Sequence, residues 1–402
     1  MENVVSQSAL MRQLSERGIN RRQFMKFCAG MTAALALPGR YTDRIAHALQ
    51  APQKPPLVWL DFQECAGCSE SLLRASRPSI DNLVLETLSV NYMSLAMAAA
   101  GHQAEAALQQ TMDDHPGEYI AVVEGSIPTH DNGVYATVAG RSAPDIATEV
   151  CGNAAATIAV GACAFFGGWP SAAPNPTGAV GVDEAVPGLD LINIPGCPPN
   201  AVNMTAAVVH YLTFGELPAV DRHKRPLFAF GQTIHDSCER RAHYDAGRFV
   251  QAYGDEGHRK GWCLYKMGCK GPSTYHNCPA VRWNEGTSWP VMVGHGCVGC
   301  SEPHFWDAMS PFYRRLPDVP GFGVQATADG IGLTIAAVVG GGFAAHGVAS
   351  GVRYGIKKRR QSAHEEPTPP TAQADERRSE STESTGSAKT TESAEAEEED
   401  RA

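Results

Sequence analysis

Residues 57–68, with the sequence LVWLDFQECAGC, join an apolar strand to a pair of cysteines. The run LVWL at 57–60 is short, continuous and apolar, which is typical of a strand buried on both faces of a sheet. Cys65 and Cys68 follow it after a polar loop, where we expect a helix to begin with Ser69 as its N-cap. The stretch therefore predicts a buried strand with two thiols beyond its carboxyl end.

Three further apolar runs predict strands of the same sheet. They cover residues 119–123, 157–160 and 191–194, and a helical stretch near 144–155 precedes the second of them. Short apolar strands that alternate with helices favour a doubly wound, largely parallel α/β sheet.

Four cysteines are placed to converge at one edge of this sheet. Cys65 and Cys68 follow the first predicted strand, Cys163 follows the third and Cys197 follows the fourth. In open α/β sheets, ligands bind in the crevice beyond the carboxyl ends of the strands. We therefore expect these four thiols, the first group, to meet around one cofactor.

Seven more side chains form two further groups of soft ligands. Iron–sulfur clusters take thiolates in sets of four, sometimes with one histidine as a replacement. The third group offers only three thiols. We expect Pro290, which has no donor for iron, to occupy the place that a fourth ligand would otherwise reach. The second group is His235, Cys238, Cys263 and Cys269, and the third group is Cys278, Cys297 and Cys300.

Two other uses of the cysteines stay open. The spacings Cys65-x2-Cys68 and Cys297-x2-Cys300 each resemble half of a four-cysteine zinc site, although they lie far apart in the chain. Disulfides are the other alternative in an exported chain with this many cysteines. Cys151 belongs to no group, and we predict that it is a buried core thiol.

The N-terminus has the features of a signal peptide. Asn20-Arg21-Arg22-Gln23-Phe24-Met25-Lys26 precedes an apolar stretch from Phe27 to Leu37, and Ala46-His47-Ala48 offers a cleavage site of small residues. The adjacent arginines indicate the twin-arginine pathway, with an ordinary Sec signal as the alternative. That pathway exports folded proteins, so cofactors would occupy the thiols before disulfides form.

The chain changes character after residue 222. Residues 223–318 are rich in Gly, Pro, Trp, His and Cys with little periodicity, a composition in which metal clusters can supply the missing stability. Residues 330–352 contain no Asp, Glu, Lys or Arg and are long enough to span a bilayer, with a buried core helix as the alternative. The basic run at 357–360 then places the C-terminus in the cytoplasm.

The distribution of charged residues along the chain indicates which kinds of partner to expect. The formal net charge is −10, and acidic residues concentrate in a Ser-, Thr- and Glu-rich segment from 361 to 402, which predicts a disordered tail. No basic patch alternates with aromatic residues, so we expect no nucleic-acid partner. His346, inside the apolar span, either packs against a neighbouring helix or approaches a haem of a membrane partner.

Taken together, these motifs resemble the small subunit of membrane-bound, uptake-type nickel–iron hydrogenases, from the signal peptide to the membrane anchor. Any one motif alone would be weak. One departure is Ala66, where the family commonly has a Thr whose hydroxyl assists proton transfer in the partner. The resemblance rests on Glu64-Cys65-Ala66-Gly67-Cys68-Ser69-Glu70, Glu124-Gly125-Ser126-Ile127-Pro128, Gly161-Ala162-Cys163, Pro195-Gly196-Cys197-Pro198-Pro199, His235-Asp236-Ser237-Cys238, Gly261-Trp262-Cys263-Leu264, Gly268-Cys269-Lys270-Gly271-Pro272 and the run from Cys278 to Cys300.

The resemblance implies a wire of three clusters and no nickel in this chain. The first group resembles the ligands of a proximal 4Fe–4S cluster, nearest the nickel–iron centre of the large subunit. The third group resembles those of a medial 3Fe–4S cluster, and the second those of a distal 4Fe–4S cluster with its histidine. Hydrogen would be split in the large subunit, and electrons would pass from proximal to medial to distal and then to a cytochrome b or another membrane partner. Glu64 either lines the subunit interface or is solvated.

The predicted fold is a flavodoxin-like doubly wound parallel sheet, followed by an irregular iron–sulfur domain and a C-terminal transmembrane helix. The expected location is the inner membrane, with the clusters on the periplasmic side. One alternative function is electron transfer in another exported oxidoreductase, and a more distant one is an exported binding protein stabilised by metal or disulfides. The predicted segments are a twin-arginine signal peptide at 1–48, the flavodoxin-like domain with the proximal cluster at 49–222, the medial and distal cluster domain at 223–322, the anchor at 323–353 and the tail at 361–402.

Overall fold

In the computed structural model of the protein, residues 21–50, 55–75, 89–314 and 328–362 are described. The chain divides into two compact units, of which the first ends at Leu333 and the second begins at Thr334. The predicted domains at 49–222 and 223–322 both fall within the first unit. Asn20 of the twin-arginine motif, the start of the predicted anchor and the tail beyond 362 lie outside the described residues.

A five-stranded parallel sheet forms the centre of the first unit. Its strand order is β2-β1-β3-β4-β5, which is the order of flavodoxin-like folds. The predicted α/β class and parallel sheet are confirmed, and the edge strand β2 is an addition that the sequence did not predict. The strands are β1 (Pro56–Asp61), β2 (Ser89–Met93), β3 (Ile120–Glu124), β4 (Ala156–Val160) and β5 (Leu191–Ile194).

Helices cover both faces of this sheet. Successive residues of a strand point to opposite faces, so Val58 packs beneath α4 and α5 while Trp59 packs beneath α8. Two antiparallel pairs of two-residue strands, Ile127–Pro128 with Ala179–Val180 and Thr137–Val138 with Arg141–Ser142, flank the sheet. The helices of this part are α1 (Arg21–Ala34), α2 (Thr42–Leu49), α3 (Gly67–Leu73), α4 (His102–Asp114), α5 (Ala143–Gly152), α6 (Gly161–Phe166), α7 (Val182–Ala185) and α8 (Ala201–Phe214), with a 3-10 turn at Gly39–Tyr41 and another at His130–Gly133.

The predicted start of the helix after β1 is wrong by three residues. Helix α3 begins at Gly67, and Ala66 occupies the N-cap position in a left-handed conformation with φ of 58°. Ser69 lies inside the first turn instead. Its hydroxyl donates a hydrogen bond to the buried carboxylate of Glu124. Glu124 is distant in the sequence, so the local sequence could not indicate this contact.

The predicted signal-peptide segment folds onto the sheet domain. Helices α1 and α2 form a pair that packs against α8, and Cys28, Ile45 and Leu49 are buried there with Ala206 and Val209. The opposite side of α8 packs against the sheet. Because the sheet buries one side of α8 and the pair of α1 and α2 buries the other, α8 is apolar around most of its circumference.

The second half of the first unit is irregular, as predicted. From residue 223 to 314 the described chain contains no helix longer than five residues and no strand beyond isolated bridges. Its core combines Trp289, Val291 and Leu264 with cysteines of the second and third groups. The short helices are α9 (Leu227–Phe230), α10 (Arg241–Asp245), α11 (Glu256–Arg259), α12 (Cys278–Val281) and α13 (Phe305–Ala308), and 3-10 turns occupy Ile234–Ser237, Tyr265–Met267 and Gly271–Ser273.

A single helix, α14 (Ala328–Ser362), accounts for the described part of the C-terminal segment. Within it, Leu333–Arg360 is long and apolar enough to cross a membrane, with a mean hydropathy of 1.5. None of the residues in its apolar window is buried. The predicted span at 330–352 lies inside this helix, which also continues through the basic run at 357–360. Length and composition therefore support membrane association of this segment.

Candidate metal centres

The ends of β1, β4 and β5 bring the first group together. Cys65 and Cys68 lie on the loop and first turn after β1, Cys163 lies in α6 after β4, and Cys197 follows β5. Burial raises the pKa of the Cys68 thiol most, and the charges of Glu124 and of the other three cysteines raise it further. The four sulfur atoms are thus close enough to influence one another.

Glycines make room for these sulfur atoms. A Cβ atom on Gly161 would lie 2.5 Å from Cys68 Sγ, and one on Gly168 would lie 2.6 Å from Cys163 Sγ. Both glycines have positive φ, of 89° and 56°, which side chains rarely adopt. The backbone therefore approaches the thiols more closely than any other residue type would allow.

Glu124 is a buried residue whose contacts with the Cys68 turn the sequence did not reveal. It ends β3, is 1% exposed, and its Oε1 accepts a hydrogen bond from the Cys68 N–H at 2.9 Å. Its Oε2 accepts from the Ser69 N–H at 2.9 Å and from the Ser69 hydroxyl at 2.5 Å. One buried carboxylate thereby fixes the turn that carries Cys68.

Two other carboxyl groups lie near this turn. Burial, followed by the charges of Glu124 and Asp61, raises the pKa of Glu64 to about 7. Burial also raises the pKa of Asp61 to about 6, although Ser94 donates a hydrogen bond to it. Glu64 is half-buried, and its Oε2 has no partner among the described residues. A fully solvated Glu64, one of the two expectations, does not fit this burial.

The second group lines one cavity. His235, Cys238, Cys263 and Cys269 all face it, together with Arg240 and several apolar side chains. Burial, and next the charge of Arg241, lowers the pKa of His235. The imidazole is therefore neutral near pH 7, the form that binds metals.

The third group is made up of one buried and two half-buried cysteines. Cys278, Cys297 and Cys300 lie in the irregular half, and burial raises the pKa of each thiol. Trp289 packs in the same cluster as Cys297, and its buried indole N–H has no partner within the described part of the chain. Pro290, next in the chain, has an exposed side chain.

The three groups touch in the order first, third, second. Burial and then the charge of Cys300 raise the pKa of Cys197, so these two thiols of the first and third groups lie near each other. At the other side, the Cys297 N–H donates to Cys269 Sγ at 3.3 Å. The third group therefore lies between the other two, although it comes last in the sequence.

A buried ion network ties the two halves together around the third group. Arg225 is 2% exposed and bonds Asp221 at 2.8 Å and Glu302 at 3.0 Å. It also donates to the carbonyl of Ser301 at 2.9 Å, and Glu302 accepts from the Tyr275 N–H at 2.7 Å. The loop that follows Cys300 is thereby anchored to the sheet domain.

The donor chemistry fits iron–sulfur clusters better than the two alternatives. All twelve cysteines are unpaired, so there is no disulfide among them. Across residues 21–50, 55–75, 89–314 and 328–362, no three His, Cys, Asp or Glu side chains could hold a single metal ion, as a tetrahedral zinc site with bonds of about 2.3 Å requires. A multinuclear cluster spaces its thiolates more widely, and its iron would offset the burial that disfavours them. Cys151 is a buried core thiol, as predicted.

Comparisons with known proteins give two family matches and several close relatives. Residues 230–313 match the family described as the C-terminal part of the NiFe/NiFeSe hydrogenase small subunit, and residues 65–211 match that of the 20 kDa subunit of NADH ubiquinone oxidoreductase. The chain is 47% identical over 340 residues to the uptake hydrogenase small subunit of Azotobacter vinelandii, covering 85% of this chain and 95% of that protein. It is also 47% identical over 345 residues to the quinone-reactive Ni/Fe-hydrogenase small chain of Wolinella succinogenes, with coverages of 84% and 97%.

Solved structures give the same result. The recombinant NiFeSe hydrogenase from Desulfovibrio vulgaris Hildenborough matches with a TM-score of 0.62 and 33% identity, covering 66% of this chain and 99% of that chain. This chain therefore belongs to the family of nickel–iron hydrogenase small subunits. It is an iron–sulfur electron-transfer subunit that pairs with a large subunit, and the nickel–iron active site lies on that partner.

Proposed function

We propose that this subunit relays electrons from hydrogen oxidation in the large subunit through three iron–sulfur clusters to an acceptor in the membrane. The first group would hold the proximal 4Fe–4S cluster, the third the medial 3Fe–4S cluster and the second the distal 4Fe–4S cluster. The hydrogen bond between the Cys297 N–H and the Cys269 sulfur carries this proposal, and the electrostatic effect of Cys300 on Cys197 supports it. Stepwise electron transfer requires such a line of neighbouring groups.

The clusters supply one-electron redox chemistry, and the chain sets the conditions for it. Glu124 holds the Cys68 turn through three hydrogen bonds, so the first group keeps its geometry. His235 contributes a neutral ligand, which makes the second group less negative than a set of four thiolates and affects its potential. Within the third group, Cys297 is buried, whereas Cys278 and Cys300 are half-buried.

We further propose that the subunit is anchored by α14 in the inner membrane, with the clusters on the periplasmic side and the C-terminus in the cytoplasm. The paired Arg21 and Arg22 support export, and the basic run at 357–360 supports a cytoplasmic end. A cytochrome b would take the electrons. The relative from Wolinella succinogenes is named quinone-reactive, which supports an acceptor of this kind.

Copurification with the large subunit, followed by iron and acid-labile sulfide analysis, tests the relay. We expect two four-iron clusters and one three-iron cluster. A His235→Ala variant should retain the electron paramagnetic resonance signals of the proximal and medial clusters but lose that of the distal cluster. An unchanged distal signal in that variant would contradict the ligand assignment.

Removing the chain after Gly323, a position outside the described residues, should give a soluble heterodimer that retains its clusters. A truncated heterodimer that stays in the membrane fraction without other partners would contradict the anchor.

A further inference from the structure

His276 lies beside the first cysteine of the third group. It comes two residues before Cys278, and its side chain is 4% exposed. Its Nδ1 atom is 3.1 Å from Cys278 Sγ, within hydrogen-bonding distance for sulfur. No motif in the sequence indicated a role for this histidine.

Two contacts fix the position of the imidazole. The backbone N–H of His276 donates to the carbonyl of Gln232 at 3.1 Å. The ring packs edge-on against Phe230, with 5.0 Å between centroids and 84° between planes. A metal-bound thiolate carries no proton and can only accept, so Nδ1 must be the donor toward a ligating Cys278.

Trp283 also lies close to this thiol and lowers its pKa, against the larger effect of burial, which raises it. The Nδ1 atom of His276 is the side-chain nitrogen whose distance to the sulfur lies within hydrogen-bonding range.

We propose that His276 is a positioning residue that donates an Nδ1–H hydrogen bond to Cys278 and holds the medial cluster at a more positive reduction potential. The inference rests on the proposed function, because it takes Cys278 as a cluster ligand. A reduced cluster carries one more negative charge than the oxidised form and gains more from a nearby donor. Hydrogen bonds to the sulfurs are therefore one of the factors that set cluster potentials.

The test is a redox titration of the purified heterodimer, followed by electron paramagnetic resonance of the three-iron signal. In His276→Phe, which keeps an aromatic ring but removes the donor, the ratio of reduced to oxidised medial cluster at fixed potential should fall about tenfold. That corresponds to a shift of about 59 mV to more negative values for one electron. His276→Gln, which retains an N–H donor, should recover part of the shift. Phe230→Leu loosens the same packing without removing the donor and should leave the potential close to that of the wild type.

Three results would overturn the inference. One is a three-iron signal in His276→Phe with an unchanged potential. Another is an equal shift in Phe230→Leu, which would make packing the cause. The third is loss of iron from the cluster in His276→Phe and in His276→Gln but not in Phe230→Leu, which would make the imidazole an iron ligand. A wild-type enzyme without a three-iron signal would instead contradict the proposed function itself.

Discussion

The backbone N–H of Cys297 donates a hydrogen bond to the sulfur of Cys269 at 3.3 Å. The two cysteines belong to different ligand groups, and Lys270 reinforces the contact because its N–H donates to the Cys297 carbonyl at 2.8 Å. The segments that carry the third and second groups are thus hydrogen-bonded directly to each other. Gly296 precedes the contact, and its missing side chain leaves room for it.

Substitution of Gly296 by Ala should weaken this junction. A Cβ atom there would lie 3.1 Å from Cys269 Cα and 3.2 Å from its backbone nitrogen, so the two segments must separate slightly. Overpacking of this kind costs about 1–3 kcal/mol. We expect the heterodimer to lose iron at a lower denaturant concentration than the wild type. Gly271→Ala is the matched control, because its nearest contact would be an ordinary 3.4 Å. Equal losses in both variants would show that the junction has no special role.

Gly168→Ala should remove the proximal cluster. The added Cβ would lie 2.6 Å from both the Cα and the Sγ of Cys163, and φ is 56°. Gly188→Ala is the control for backbone strain alone, because Gly188 has φ of 90° but nothing within 4 Å. We expect Gly168→Ala to lose about one cluster's iron while Gly188→Ala keeps its full iron content. Full iron content in Gly168→Ala would contradict the close packing around Cys163.

Arg225→Met should destabilise the first unit strongly. The change leaves the buried Glu302 and the half-buried Asp221 without their cation, and breaking a buried ion pair from one side costs about 3–5 kcal/mol. The measurement is the denaturant midpoint followed by loss of cluster absorbance. Lys260→Met removes one partner of an exposed pair with Glu256 and should cost less than about 1 kcal/mol. Similar midpoints for the two variants would refute the importance of the Arg225 network.

Ala206→Glu should release the leader helices α1 and α2. Ala206 is fully buried against them, and a charge there is costly to keep in apolar contact. The proposed cleavage site lies in α2, where Ala46 and Leu49 are buried. We therefore expect signal peptidase to process the purified Ala206→Glu precursor faster than the wild type. Val134→Glu, at an exposed position, is the control. Equal processing rates for all three precursors would mean that docking does not protect the site.

Much of the fold was predictable because its signals are local. The runs at 57–60, 119–123, 157–160 and 191–194 are apolar enough to be strands in any context, and all four are found. Strand β2 was missed because it lies at the edge of the sheet and its first three residues are exposed or half-buried. An edge strand needs no continuous apolar run.

The spacing of the cysteines suggested their grouping, which stays a prediction, whereas the order first, third, second followed only from the family resemblance. Nothing local places Cys300 beside Cys197 or Cys269 beside Cys297, because both contacts arise from tertiary packing. The same holds for Glu124, whose carboxylate accepts a hydrogen bond from the Cys68 N–H although the two residues are distant in the sequence. The buried His276 also lacked any sequence signal.

The most direct test of the relay is electron paramagnetic resonance of the intact heterodimer, poised first fully oxidised and then reduced with hydrogen. The oxidised enzyme should give one three-iron signal, assigned to Cys278, Cys297 and Cys300. Hydrogen should abolish it and produce signals of two reduced four-iron clusters that interact magnetically. An oxidised enzyme without a three-iron signal, or a reduced enzyme with only one four-iron cluster, would contradict the three-cluster line.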